Sequence, residues 1–111
     1  MRKYIVGVDI GGTTFSSVLF NDNFDVLEVS KKEFISELES TNQLLDAISN
    51  QIKTFKKDIA GIGISCPGPL DSQNGIILET PNLKLLQNIK IKEEVERRIS
   101  VPTYIENDAN L

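Results

Sequence analysis

Apolar positions fall in short runs, broken by glycines, prolines and polar turns. Tyr4-Ile5-Val6-Gly7-Val8-Asp9 reads as one strand. It carries so little polarity that it is expected to be covered on both faces. Ile10-Gly11-Gly12-Thr13-Thr14 reads as a tight turn, and Phe15 to Phe20 as the returning strand. Asn21-Asp22-Asn23 is a second turn, because these side chains mimic backbone turns and tolerate the left-handed region. Phe24 to Phe34 alternates raggedly, with apolar residues at Phe24, Val26 and Val29 and charges between. It predicts a third, more exposed strand, so the chain opens as an antiparallel meander.

Helical spacing follows. Ser40 and Gln43 match a capping box. Leu44, Leu45, Ile48, Ile52 and Phe55 then form one apolar face. The helix is expected to end near Lys57, with Lys53, Lys56 and Lys57 suited to the dipole's negative end. The face is core rather than a partner surface. Ile59 to Ser65 reads as a buried parallel strand. It opens into Cys66-Pro67-Gly68-Pro69-Leu70-Asp71, a rigid loop that cannot continue a sheet. Gln73-Asn74-Gly75 is a turn and Ile76 to Leu78 a short strand. Thr80-Pro81-Asn82-Leu83 is a loop. Lys92 to Ile99 is a short helix ended by Pro102, and Val101 to Glu106 a last strand.

Three strands, helix, strand, loop, helix, strand imply an α/β layer fold with a mixed five-stranded sheet, because right-handed crossovers lay the later strands parallel to the first. Ligands in such sheets gather outside the carboxyl ends of the strands. Three stretches converge there: Asp9 with its glycine turn, Ser65 to Asp71, and Glu106-Asn107-Asp108. The 111 residues fit one domain. The chain stops at a strand-to-helix transition, which suggests a fragment or excised domain.

Composition narrows the chemistry. A net charge of −4 disfavours nucleic acid, whose backbone requires concentrated Lys and Arg. Lys31-Lys32 and Lys56-Lys57 read as solvated surface. No apolar run approaches the roughly 20 residues of a membrane helix, and nothing from Met1 to Asp9 resembles a signal peptide. One cysteine, Cys66, rules out an internal disulfide, fits a reducing cytoplasm and reads as a small buried hydrophobe. Histidine is absent. Ser-His-Asp and Cys-His arrangements are therefore excluded, and a general base must come mainly from the carboxylates.

Two motifs carry chemistry. In Asp9-Ile10-Gly11-Gly12-Thr13, a strand ends on a carboxylate, two glycines admit an anion close to backbone N–H groups, and hydroxyls follow. An ordinary Gly-Gly hairpin turn explains the glycines but not the Asp or the hydroxyls. The pattern is neither a Walker A loop nor a Gly-x-Gly-x-x-Gly loop, and it points to phosphate with magnesium at Asp9. In Glu106-Asn107-Asp108-Ala109-Asn110, Asn and Asp suit a helix N-cap. A carboxylate there keeps its charge and can accept a proton from a hydroxyl, while the Asn107 amide orients the substrate. Gly68 and Asn82 sit in Pro-punctuated loops. Gly68 lets a ligand approach the backbone, and Asn82 can donate and accept together, as a sugar hydroxyl requires. Asp71 and Glu79 read as solvated loop acids.

Four stretches occur in order: Asp9-Ile10-Gly11-Gly12-Thr13, Gly61-Ile62-Gly63-Ile64-Ser65-Cys66-Pro67-Gly68-Pro69, Pro81-Asn82-Leu83, and Pro102-Thr103-Tyr104-Ile105-Glu106-Asn107-Asp108-Ala109-Asn110. With them the whole chain resembles the N-terminal domain of the ROK family (repressors, open reading frames, sugar kinases). The resemblance implies a ribonuclease H-like, actin-like ATPase (hexokinase-like) fold and a cytoplasmic, ATP-dependent kinase acting on a hexose or amino-hexose. It implies that Asp9, Gly11, Gly12 and Thr13 bind the nucleotide phosphates, with Asp9 acting on magnesium. It implies that Gly68, Asn82, Asn107 and Asp108 contact the sugar, with Asp108 as catalytic base. Thr14 stands where many members carry Lys, which shifts phosphate affinity to backbone groups or another domain.

The family's C-terminal domain is not in these residues. The resemblance places adenosine binding there, and in many members a zinc site and dimer contacts. Alone, this chain is therefore expected to be a poor or inactive kinase. The alternative is the sugar-sensing domain of a ROK repressor. Repressors carry a winged-helix region before that domain, and a first strand at Tyr4 leaves no room for one.

Overall fold

The computed structural model describes residues 3–66, 70–78 and 84–107. β1 (Tyr4–Ile10) and β2 (Thr14–Phe20) form the expected hairpin, with Asp9 opposite Ser16 and Ile10 opposite Phe15. Asn21 shapes the next turn, its Oδ1 accepting from the N–H groups of Asn23 and Asp25. The expected third strand is two strands, β3 (Val26–Val29) and β4 (Glu33–Phe34), both antiparallel to β2. Between them Ser30 still donates its N–H to Ser17 O at 2.8 Å, but its Oγ rather than its carbonyl accepts the Ser17 N–H, also at 2.8 Å. That side-chain bond accounts for the ragged alternation.

α1 (Thr41–Thr54) starts at Ser40, whose Oγ accepts the Gln43 N–H at 3.1 Å. Only half of the capping box forms, because Gln43 Oε1 accepts from Glu39 N–H instead. β5 (Ile59–Cys66) runs parallel to β1. β6 (Leu70–Asp71) and β7 (Ile76–Ile77) make a small separate hairpin. Leu70 and Asp71 are thus paired strand rather than loop. Asp71 is also more than a solvated acid, since it accepts from the Asn74 side chain and N–H. The Asn74 side chain, first, holds its carboxyl below the ordinary range. Gly75 has a φ of 70°, and a Cβ there would meet Lys92 Cβ at 2.2 Å. Only glycine fits.

α2 (Ile91–Ile99) ends at Ser100, which adopts φ 64° and donates its N–H to Glu96 O. The helix ends at Ile99 as expected, but Ser100 makes the stop rather than Pro102. β8 (Thr103–Asn107) pairs parallel to β5. The main sheet has the order β3-β2-β1-β5-β8, with β4 beside β2. This is the expected mixed sheet, with its third strand split.

Alternation decides the layers. Val6, Val8, Ile10, Phe15, Leu19, Ile62, Ile64, Cys66 and Ile105 point to one face and are buried. Leu44, Leu45, Ile48 and Ile52 of α1, Phe55 at its C-cap, and Ile91 and Val95 of α2 cover that face. Each such side chain contributes about 1.5–3 kcal/mol. Ser17 lies on the same face, donating to Gln51 Oε1 at 2.6 Å, while Gln51 Nε2 donates to Glu33 Oε2 at 2.7 Å. This buried chain ties α1 to β2 and β4 without leaving a polar group unsatisfied. Arg98 of α2 ties the helices together by donating to Asp46 of α1, while Glu94 of its own helix accepts from the same guanidinium.

The other face is not covered by any helix among the described residues. The expectation that β1 is buried on both sides is therefore corrected: Asp9 is exposed and Gly7 half-buried. No described helix is long and apolar enough to cross a membrane.

α2 is fastened to β8 by charge. Glu96 Oε2 accepts from Lys92 Nζ and from the Thr103 N–H, each at 2.9 Å. The Lys92 ammonium, then the Thr103 N–H, hold the Glu96 carboxyl below the ordinary value of 4.5. A lowered folded value means stability that is full above the unfolded value and is lost as pH falls through the folded one. Urea unfolding of Glu96→Gln at pH 7 should show a loss of roughly 1 kcal/mol. That deficit should shrink as both proteins are acidified below the ordinary glutamate value.

Candidate functional site

The sheet register assembles the site. Asp9 lies opposite Ser16 on one side and Ser65 on the other, and Ser65 lies opposite Glu106. These four residues form one row across β2, β1, β5 and β8. Their neighbours Val8, Ile64 and Ile105 are buried under the helices, so the row faces the open side. It sits at the carboxyl ends of the three parallel strands. All three predicted stretches thus meet, through Asp9, Ser65 and Glu106. Sequence reasoning passed over Ser16 and gave Glu106 no role. The period-two alternation carried the signal, but only the register shows which residues share a row.

The glycine turn projects beyond this row. Gly11 donates its N–H to Thr14 O at 2.8 Å, closing the turn on itself. Thr13 O accepts the N–H of Ile35, pinning the turn to the segment after β4. Among the described residues, no protein acceptor takes the N–H groups of Gly12 and Thr13. Both residues are exposed, and a Cβ at Gly12 would meet nothing within 4 Å. Neither glycine of the turn has a positive φ; Gly75 is the one described glycine that does. Their use is therefore an open approach to the backbone, not a left-handed bend. Two unclaimed N–H groups beside an exposed carboxylate can bind an anion together with its cation.

The Asp9 carboxylate and the Thr13 hydroxyl are hard oxygen donors. One or two carboxylates suffice for magnesium, which keeps several waters and takes further ligands from phosphate. The donor set fits that ion. No group of three or more metal-ligating side chains occurs among the described residues.

Asn107 closes β8 opposite Cys66, at the same end of the sheet. Gly68, Asn82 and Asp108 lie outside the described residues, as do Glu79 and the loop containing Pro81. Cys66 is buried, as expected.

The ROK family model matches residues 5–111. A glucokinase of Thermotoga maritima is 32% identical over 111 residues, covering 96% of this chain and 34% of that protein. A xylose repressor of Caldicellulosiruptor bescii is 33% identical over 112 residues, covering 96% and 28%. A ROK family glucokinase from Streptomyces griseus, solved with glucose and AMPPNP, superposes with a TM-score of 0.83 at 28% identity. That match covers 96% of this chain and 34% of the solved one. The chain spans about a third of the length of the curated relatives it matches. Its α/β architecture is the actin-like ATPase fold of ROK sugar kinases. With its fold, its motifs and its matched residues in agreement, the chain belongs to the ROK family.

Proposed function

We propose that this chain is the N-terminal domain, residues 1–111, of an ATP-dependent sugar kinase that transfers the γ-phosphate of ATP to a hexose hydroxyl. The observation that carries the reading is the open turn at Gly12 and Thr13, with two unclaimed N–H groups next to the exposed Asp9. The solved relative with glucose and AMPPNP supports the same pair of ligands here.

In this reading Gly11 shapes the turn, and Gly12 and Thr13 face the phosphates. Asp9 holds the hydrated magnesium that comes with ATP. When bound, that ion neutralises charge on the β- and γ-phosphates. Gly68, Asn82 and Asn107 seat the sugar. Asp108 accepts the proton of the attacking hydroxyl while its oxygen bonds to the γ-phosphorus. The bond from that phosphorus to the β–γ bridging oxygen breaks, and ADP leaves. Phosphoryl transfer needs positioning and charge neutralisation more than covalent help, so a chain without histidine can serve. The adenosine site, any zinc site and any homodimer contact fall to residues beyond this chain, and we assign it no nucleic-acid or membrane partner. The fragment alone is expected to turn over poorly.

The identity to the C. bescii xylose repressor favours a second reading, a sugar-sensing repressor domain. Turnover separates the two. The full-length protein should release ADP with magnesium-ATP and at least one sugar from a hexose panel; none with any sugar rejects the kinase. Asp108→Asn should lower kcat by about 10²–10⁴-fold while the sugar Kd moves little; near-normal turnover removes Asp108 from its role. Asp9→Asn should leave stability within about 0.5 kcal/mol, as for exposed sites. It should raise the magnesium concentration for half-maximal rate by about 10–100-fold, as loss of an outer-sphere partner does.

A further inference from the structure

The β6–β7 hairpin stands apart from the main sheet, and strands this short do not hold a position alone. Its place is set by what it hangs on. Ile77 and Ile89 exchange backbone hydrogen bonds at 2.8 and 3.1 Å. Gly75 O accepts the Lys92 N–H at 3.1 Å. The turn also rides on the Lys92 stem, where a Cβ at Gly75 would clash. Asp71 stiffens the turn from within by accepting from the Asn74 side chain and N–H.

β8 is held from the same helix. It is the last strand of the main sheet, so among the described residues no strand pairs with its outer edge. Side chains of α2 stand in for one at Thr103. Glu96 Oε2 accepts the Thr103 N–H, and Lys92 Nζ donates to the Thr103 carbonyl at 2.8 Å. Lys92 therefore bonds to both supports: to the hairpin through its backbone and stem, and to β8 through its ammonium. Both supports lead, in sequence, to residues that the proposed function assigns to the sugar. Gly68 comes two residues before β6 and Asn82 five residues after β7. Asn107 closes β8, and Asp108 follows it.

We infer that Lys92 is a positioning residue for sugar binding: one side chain sets the hairpin against β8, and with them the segments that seat the sugar. It acts at a distance, because Thr103 stands four residues, about 13 Å, before Asn107. Thr103 and Ile105 of that strand are buried, and packed interiors transmit a displacement because they compress little. Such a displacement matters, since a misplacement of about 1 Å from a remote change can cost roughly 10²-fold. The inference rests on the sugar seat of the proposed function, and it holds for the kinase and the repressor alike.

Titration calorimetry of the full-length protein tests it, with glucose, mannose, N-acetylglucosamine and xylose as probes. Lys92→Met keeps the stem under Gly75 and removes the ammonium. It should bind the wild type's sugar about tenfold more weakly. Lys92→Arg, which restores a charged donor, should recover most of that loss. Gly75→Ala disturbs the same contact from the hairpin side and should weaken the sugar about as much as Lys92→Met does. Glu96→Gln loses stability but leaves Lys92 bonded to Gly75 O and Thr103 O, so it should bind the sugar as the wild type does. Wild-type affinity in Lys92→Met or in Gly75→Ala, each shown folded by circular dichroism, overturns the inference and leaves the sugar seat standing. A loss in Glu96→Gln equal to that in Lys92→Met also overturns it, because stability rather than placement then sets the affinity. A wild-type protein that binds none of these sugars rejects the sugar seat itself, and the inference with it.

Discussion

The structure depends on the parallel pairing of β1 with β5 at a fixed register. Asp9 opposite Ser65 decides which residues face the helices and which face the site. Side chains alternate with a period of two, so a slip of one residue would turn Asp9 into the core and Val8 out of it. The slip is costly because Val6, Val8 and Ile10 are almost completely buried. The hydrophobic core therefore positions the chemistry: the glycine turn stands where it does because three apolar side chains below it have one place to go.

Antiparallel pairing with β2 then closes the turn, and Gly11 N–H to Thr14 O locks it. The lock uses one N–H group and leaves the next two unclaimed among the described residues. Buried polar groups add specificity on the helix side. Ser17, Gln51 and Glu33 form a hydrogen-bonded chain that fixes α1 over β2 and β4. An apolar face alone would let α1 slide, whereas this chain holds it at one rotation and height.

Much of this was legible in the residues. Strand and helix positions followed from apolar spacing, and the order of elements implied the sheet. The misreadings have physical causes. The third strand was read as continuous because a hydrogen bond from the Ser17 N–H to the Ser30 side chain cannot be seen in a hydropathy pattern. The α2 stop was assigned to Pro102, but Ser100 took a left-handed conformation that its residue type does not announce. β1 was expected to be buried on both faces because glycine looks apolar, whether it is covered or bare. The Asp9 turn was visible as a motif; the row with Ser16, Ser65 and Glu106 was not, because register is a property of paired strands. Gly68, Asn82 and Asp108 remain assignments by motif.

The central claim is that the Asp9–Thr13 turn is the phosphate end of a sugar-kinase cleft. A crystal structure of the full-length protein with glucose and magnesium-AMPPNP tests it most directly. The account predicts phosphate oxygens within hydrogen-bond distance of the Gly12 and Thr13 N–H groups, a hydrated metal beside Asp9, and a sugar hydroxyl facing Asp108. Nucleotide phosphates bound away from this turn, with Asp9 contacting neither metal nor its waters, would contradict it.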